Sequence, residues 1–223
     1  KNQKRENLVV ASKVSGPNEF FKYVREDLGF SKNAIDDALS KSLKRLQTDY
    51  IDLYQLHWPE RSTNFFGKRN YVHNNNEKWE DNFKEVIETL DGFVKEGKIR
   101  HYGVSNETSW GVMRNLSEST TNNLTRCKTI QNAYSLLNRL FEINLAEVSM
   151  REKIGLLAYS PLGFGMLTGK YLNGQLPENS RLKLFPQYSR YNSEQSHLLS
   201  QKYLELAQEL NISLTNLLNT SSF

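Results

Sequence analysis

The chain holds a single cysteine among its 223 residues, together with only four histidines and five prolines. One cysteine, Cys127, excludes an internal disulfide and any metal cluster built on cysteine, and no metal site is expected. Cys127 sits just ahead of an apolar segment, so it reads as a small packed side chain rather than a reactive thiol. No apolar run approaches the length of a transmembrane span, so no membrane partner is expected. No signal peptide is visible either, and the default expectation is a cytoplasmic protein. Neither a GxGxxG nor a GxxxxGK(S/T) phosphate loop follows any apolar run, which argues against Rossmann and P-loop folds. An excess of one charge is also lacking. The 29 Lys and Arg against 25 Asp and Glu leave a net +4, and the basic residues interleave with acids beyond the opening KNQKR. Nucleic acid is therefore not an expected partner, whereas a small anion such as a nucleotide phosphate suits the modest surplus.

The mean hydropathy is low, at -0.64, yet the apolar residues gather into blocks, and blocks make buried strands. Leu8–Ala11 reads as a strand bounded by Gly16-Pro17. Ser31 reads as an N-cap, followed by Ile35, Leu39, Leu43 and Leu46 at helical spacing with Lys41, Lys44 and Arg45 late in the helix. The run 50–57 is too continuous in apolar residues for an exposed strand. Residues 58–76 read as a long loop, and loops of that length in compact domains are often functional. Phe83 to Val94 forms a helix stopped by Gly97, and Ile99–Ser105 is the third strand. A helix from Trp110 to Ser117, the strand Thr129–Gln131, a helix over Glu142–Met150 and the strand Gly155–Ser160 follow. A second loop spans 161–192, and helices from Glu194 to Leu210 and from Ser213 onward end the pattern. Alternation of strand and helix implies parallel strands with right-handed crossovers. With no composition shift, residues 1–223 are expected to form a single domain.

In a parallel βα barrel the polar residues at the C-terminal strand ends face the active site. Those positions hold Lys13, His57, Ser105-Asn106, Gln131-Asn132 and Tyr159-Ser160. Taken singly, Lys13 also fits a solvated strand end, His57 a core histidine and Tyr159 a core tyrosine. Together they suggest catalysis more than packing does.

The segments LYQLHWP (53–59), GKIRHYGVSN (97–106), TIQNAYSLLNR (129–139) and AYSPLGFGMLTGKYL (158–172) resemble the successive strand-end motifs of the aldo-keto reductases. The stretch 43–68 is similar to the Tas-type branch of that family. The resemblance runs from residue 5 to about residue 210. It implies an incomplete (β/α)8 barrel, about strands three to seven. It also implies transfer of a hydride from NADPH to an aldehyde or ketone. In the family an Asp, Tyr, Lys and His tetrad does this. Lys13 matches the lysine and His57 the histidine, while Trp58 would line the pocket of a small carbonyl substrate or pack at its rim. No Asp or Tyr precedes Lys13, so half the tetrad is missing, and the chain is expected to be truncated at both ends and inactive alone. Tyr23, Tyr50 and Tyr54 do not match the family tyrosine.

On the cofactor side, the resemblance gives Ser105, Asn106 and Gln131 to the nicotinamide carboxamide and Tyr159 to stacking on the ring. It gives the loop Ser160, Pro161, Leu162, Gly163 and Gly165 to the pyrophosphate, with amides for its oxygens and glycines for close approach. Lys170 and Arg181 match cations on the cofactor phosphates, with Arg190 a weaker candidate. NLLNTSSF departs from the family's 2′-phosphate segment, so NADP against NAD is not read directly. Phe65, Phe66 and Tyr71 suggest an aromatic pocket mouth. A different class of protein also resembles this family: the potassium-channel β subunits, which bind NADPH as regulatory partners of a channel.

Overall fold

The computed structural model describes residues 3–18, 22–23 and 27–220. Lys1 and Asn2 of the basic opening, and the last three residues of the NLLNTSSF tail, lie outside them. The elements run β1 (Ala11–Val14), α1 (Lys32–Leu46), β2 (Ile51–Leu56), α2 (Phe83–Lys95), β3 (Ile99–Ser105), α3 (Ser109–Thr121), β4 (Thr129–Gln131), α4 (Leu145–Glu152), β5 (Gly155–Leu156), α5 (Arg181–Leu184), α6 (Glu194–Glu209) and α7 (Leu214–Thr220). Contacts divide the described chain into two compact units. One runs through Gln131 and takes in Glu147–Leu157; the other takes Asn132–Ala146 and the residues from Ala158 onward.

The first unit carries a five-stranded parallel sheet in the order β1-β2-β3-β4-β5. Doubly wound sheets reverse their strand order at a switch point, whereas the strands of a (β/α)8 barrel follow one another in sequence. The order here is the second kind. One cross-strand row joins Lys13, Gln55, Gly103, Thr129 and Gly155. Alternate residues point to the helices: Tyr102 donates to Asn115 and lies 3.2 Å from the Ser119 hydroxyl, both on α3. Its register partner Tyr54, fully buried, shares that face. By the period of two, Lys13, Gln55, His57, Ser105 and Gln131 stand on the other face.

Ser31 caps α1 as its sequence position implies, its hydroxyl accepting from the Ala34 amide at 3.1 Å. Ile35 and Leu39 are buried, whereas Leu46, the last residue of the helix before the left-handed Gln47, is exposed. Gly103 is required by packing. A Cβ there would overlap the Thr129 hydroxyl and stand 2.8 Å from the Thr129 carbonyl oxygen.

Several boundaries differ from the sequence reading. The first strand starts at Ala11 rather than Leu8, and Val9 is 85% exposed. Pairing with β2 sets the strand, and it begins only where Asp52 meets Val10, through Asp52 N–H to the Val10 carbonyl and Val10 N–H to the Asp52 carboxylate. The fifth strand shortens to Gly155–Leu156, with Tyr159 continuing as a single bridge to Ala133. A 3-10 turn at Leu140–Glu142 and the left-handed Asn144 delay α4 to Leu145. The stretch 161–192 is not bare loop, since it holds two 3-10 turns and α5.

The second unit has apolar centres of its own. Met166, Tyr171, Leu182 and Tyr191 are buried together, and Leu167, Ala207 and Leu214 form another group.

Candidate active site

Two places in the molecule gather the residues singled out above. In the first unit, Lys13 precedes the last residue of β1, and the His57 amide donates to the Val14 carbonyl at 2.9 Å, setting the histidine just beyond the end of β2. Both side chains are half-buried. Burial, seconded by the Lys13 charge, pushes the His57 pKa from 6.5 down to about 4. Burial lowers the Lys13 pKa as well. His57 is therefore neutral at pH 7, and its imidazole can offer or accept a hydrogen bond without carrying charge.

Trp58 is buried and packs on His57 with ring centres 4.6 Å apart. Its indole N–H donates to the Pro17 carbonyl at 3.3 Å. Gly16 makes this fit possible, because a Cβ there would stand 2.6 Å from the indole nitrogen. From the long loop, Phe66 brings its ring to 6.4 Å from His57 and 5.7 Å from Trp58, and is itself 41% exposed. Its φ of 52° and the φ of 94° at Gly67 turn the loop back at this point. Phe65 meets Phe66 with ring centres 5.2 Å apart, whereas Tyr71 turns to His73, its hydroxyl 2.9 Å from Nδ1.

The end of β3 and its following turn lie alongside. Ser105 Oγ donates to the Gln131 carbonyl at 2.8 Å, and Asn106 Nδ2 donates to the His57 carbonyl at 2.9 Å. Asn106 adopts φ 53°, a region that asparagine tolerates better than most side chains. These bonds, with a further one from Asn106 Nδ2 to Ser105 Oγ at 3.2 Å, spend the Ser105 proton and both Asn106 side-chain amide protons on the scaffold. Gln131 contributes only its backbone to them and keeps its half-buried carboxamide for other use. Of the three, Gln131 is the one best placed to meet an amide ligand.

No tyrosine joins Lys13 and His57 among the described residues of this unit. Tyr54 lies on the helix-facing side of the sheet, and Tyr50 is in contact with the guanidinium groups of Arg5 and Arg100, 4.0 and 4.2 Å from its ring centre. Tyr23 is 82% exposed.

The second gathering is in the other unit. Ser160, Gly163, Phe164 and Gly165 have φ of 57°, 53°, 57° and 94°, so the chain coils tightly after Tyr159. The amides of Gly163 and Gly165 donate to the carbonyls of Ser160 and Leu162 at 2.9 Å, so these two close turns rather than face a phosphate. The cations are better placed. Lys170 lies over Gly165, where a Cβ would come within 3.1 Å of its Nζ. Arg181 stands 4.5 Å and Arg190 5.6 Å from the Phe164 ring centre. Burial raises the Tyr159 pKa, with the Arg190 hydrogen bond and charge opposing. Tyr159, the 160–165 coil and three cations thus share one surface, which suits a diphosphate.

Arg61 and Glu107 were missed by the sequence reading. They form a buried ion pair at 2.5 Å between the turn after β2 and the turn after β3. Glu60, beside them, accepts from the Phe30 amide and from Asn82 Nδ2, both at 2.7 Å. Charged residues in loops read as solvated in sequence, so their burial had no sequence signal.

Among the described residues, no group of three His, Cys, Asp or Glu is placed to hold a metal ion, and no helix is long and apolar enough to cross a membrane. Cys127 is buried, and burial pushes its thiol up to about 12, which makes it inert.

The depressed His57 pKa predicts a pH effect on stability. Unfolded, this histidine gains a proton near 6.5; folded, it does so only near 4. The unfolded state therefore binds more protons as the pH falls through that window, and stability is lost. Urea unfolding between pH 7 and pH 4 should show a smaller loss for His57→Asn than for the parent chain. Equal slopes would mean that His57 is not held neutral.

The family model described as the aldo/keto reductase family matches residues 1–219. The chain is 50% identical over 214 residues to the protein Tas of Escherichia coli, covering 93% of this chain and 60% of that one. It is 36% identical over 212 residues to an aldo-keto reductase of Babesia bovis, covering 90% and 74%. To a probable voltage-gated potassium channel subunit beta of rice, Oryza sativa, it is 27% identical over 186 residues, covering 81% and 49%. The chain thus spans 60% of the length of its Escherichia coli relative.

Proposed function

The chain belongs to the aldo/keto reductase family, a family of (β/α)8-barrel oxidoreductases, and from that premise we propose that it carries the cofactor-binding and carbonyl-orienting parts of an NADPH-dependent reductase of aldehydes or ketones. The observation that carries the proposal is the half-buried His57 beside Lys13 at adjacent strand ends. NADPH, when bound, supplies the hydride. Every other part is performed by this chain's residues or by a proton donor delivered to them.

His57, uncharged at pH 7, presents a ring N–H toward a carbonyl oxygen and favours the charge that grows there during reduction. It does not compete as an acid, because its imidazolium form is suppressed. Lys13 places a desolvated cation at the next strand end, where it stabilises a neighbouring phenolate and brings a tyrosine closer to useful acid strength. Trp58 and Phe66 wall the approach to His57 and exclude water from it. Gln131, in the frame that Ser105 and Asn106 set, would hold the nicotinamide carboxamide. In the other unit, the resemblance gives Tyr159 to the nicotinamide ring and Ser160, Pro161 and Leu162 to the pyrophosphate, for which Lys170, Arg181 and Arg190 would supply positive charge.

Because no tyrosine accompanies Lys13 and His57 among the described residues of the first unit, this polypeptide is proposed to bind NADPH without oxidising it. Titration of NADPH fluorescence should give saturable binding, with no loss of absorbance at 340 nm on addition of 4-nitrobenzaldehyde. Arg181→Ala with Lys170→Ala should weaken that binding by about tenfold and flatten its salt dependence. Turnover by the parent chain would refute this account of its proton donor, and unaltered affinity in the double variant would remove the two cations from the cofactor.

The likeness to the rice channel subunit supports a second reading, an NADPH-binding regulatory subunit. It needs the same cofactor residues but no turnover in any length of the protein.

A further inference from the structure

The Arg61–Glu107 pair does more than its stability warrants. Both residues are more than nine-tenths buried. Arg61 Nη1 donates to Glu107 Oε2 at 3.1 Å, and Nη2 donates to Oε1 at 2.5 Å. The fork is therefore bidentate, which fixes angle as well as distance. Nη2 also donates to the Thr108 hydroxyl at 3.1 Å, and Glu107 Oε1 accepts the Thr108 amide at 2.6 Å. The guanidinium lies 4.7 Å from the Trp110 ring centre. Gly111 is required beneath it, because a Cβ there would overlap the Glu107 carboxylate and stand 2.5 Å from Nη2.

A buried ion pair is a weak source of stability, since apolar side chains of similar volume often do as well, but it specifies geometry. Here it joins two turns. Arg61 follows His57 by four residues, and Glu107 directly follows Ser105-Asn106. The same turns are crossed once more by the neutral bond from Asn106 Nδ2 to the His57 carbonyl. The two-pronged fork adds to that bond a link that fixes angle as well as distance.

We infer that Arg61 and Glu107 are positioning residues, whose ion pair holds the His57 turn in register with the Ser105-Asn106 turn and keeps His57 desolvated. The inference builds on the proposed reading of those two turns as the carbonyl-facing and carboxamide-facing sides of one site.

The test compares Arg61→Met with Glu107→Leu as a double variant, and Arg61→Lys alone, against the parent chain. Melting temperature, His57 titration by imidazole NMR and NADPH affinity are read on each. The double variant should melt near the parent temperature, because no buried charge is stranded. Its His57 midpoint should nevertheless rise by about one unit from its parent position near 4, and its NADPH Kd should weaken by about tenfold. Arg61→Lys keeps the charge but loses the fork, and should shift His57 in the same direction. A purely structural pair would leave His57 unmoved in a double variant that melts normally, and that result overturns the inference. Should the double variant fail to fold, an unmoved His57 in Arg61→Lys overturns it equally. If the parent chain does not bind NADPH, the cofactor reading fails while the His57 titrations still decide this one.

Discussion

Lys13→Met, carried in a polypeptide with the full length of the Escherichia coli relative, is expected to lower kcat for aldehyde reduction by about 10³-fold with little change in NADPH affinity. The methionine keeps the length of the side chain and removes only its charge. That charge already registers at His57, whose titration it pushes down beyond the effect of burial. A phenol placed beside it would feel the same field with the opposite consequence, since a cation opposes imidazolium but favours phenolate. Removing it should therefore also move the basic limb of the pH–rate profile upward. His57→Ala should cost about 10²-fold through loss of an oriented donor, and should leave that limb in place. Parent-like turnover in either variant would strike that residue from the mechanism. A rise in KM alone would assign it to binding.

Gly103→Val should destabilise the chain by about 3 kcal/mol, or roughly 6–12 °C in melting temperature. Its position in β3 is boxed by the neighbouring strand: the added carbon would overlap the Thr129 hydroxyl and press to 2.8 Å on the Thr129 carbonyl oxygen. A side chain can rotate away, but the backbone of β4 cannot move without breaking the ladder that pairs Gly103 with Thr129. Thr129→Ala should therefore rescue only part of the loss. Gly92→Ala is the matched control. A Cβ there meets nothing within 4 Å, and the site is inside α2, so that change should stabilise the chain by up to about 1 kcal/mol. Thermal melts of the three variants give the comparison directly. If Gly103→Val melted like the parent, β3 and β4 could not be paired in this register.

Much of the first unit was legible because its signals are local. Ser31 at a cap position, Gly97 after a helix, and the apolar run ending in Leu56-His57 each report on a few neighbouring residues, and each stands where the pattern places it. The failures share a cause too. Leu8 and Val9 look like strand, but a strand exists only where a partner pairs with it, and that partner lies some forty residues away at Asp52. The turns of the coil 160–165, closed by the Gly163 and Gly165 amides on carbonyls within it, likewise show only in the folded chain. The cations around it arrive from positions as distant as Arg190, and no spacing rule links that residue to Phe164.

By itself the sequence determined the order of strands and helices, the family, and which side chains end up at the C-terminal ends of the strands, because periodicity and turn chemistry act over a few residues. Tertiary structure alone decided the electrostatic state of those side chains. His57 is neutral because of what buries it and because Lys13 stands on the adjoining strand. Arg61 and Glu107 are a geometric clamp rather than two loop charges because packing removed water from both. Desolvation and register are properties of neighbours in space, and a sequence states them only once it has folded.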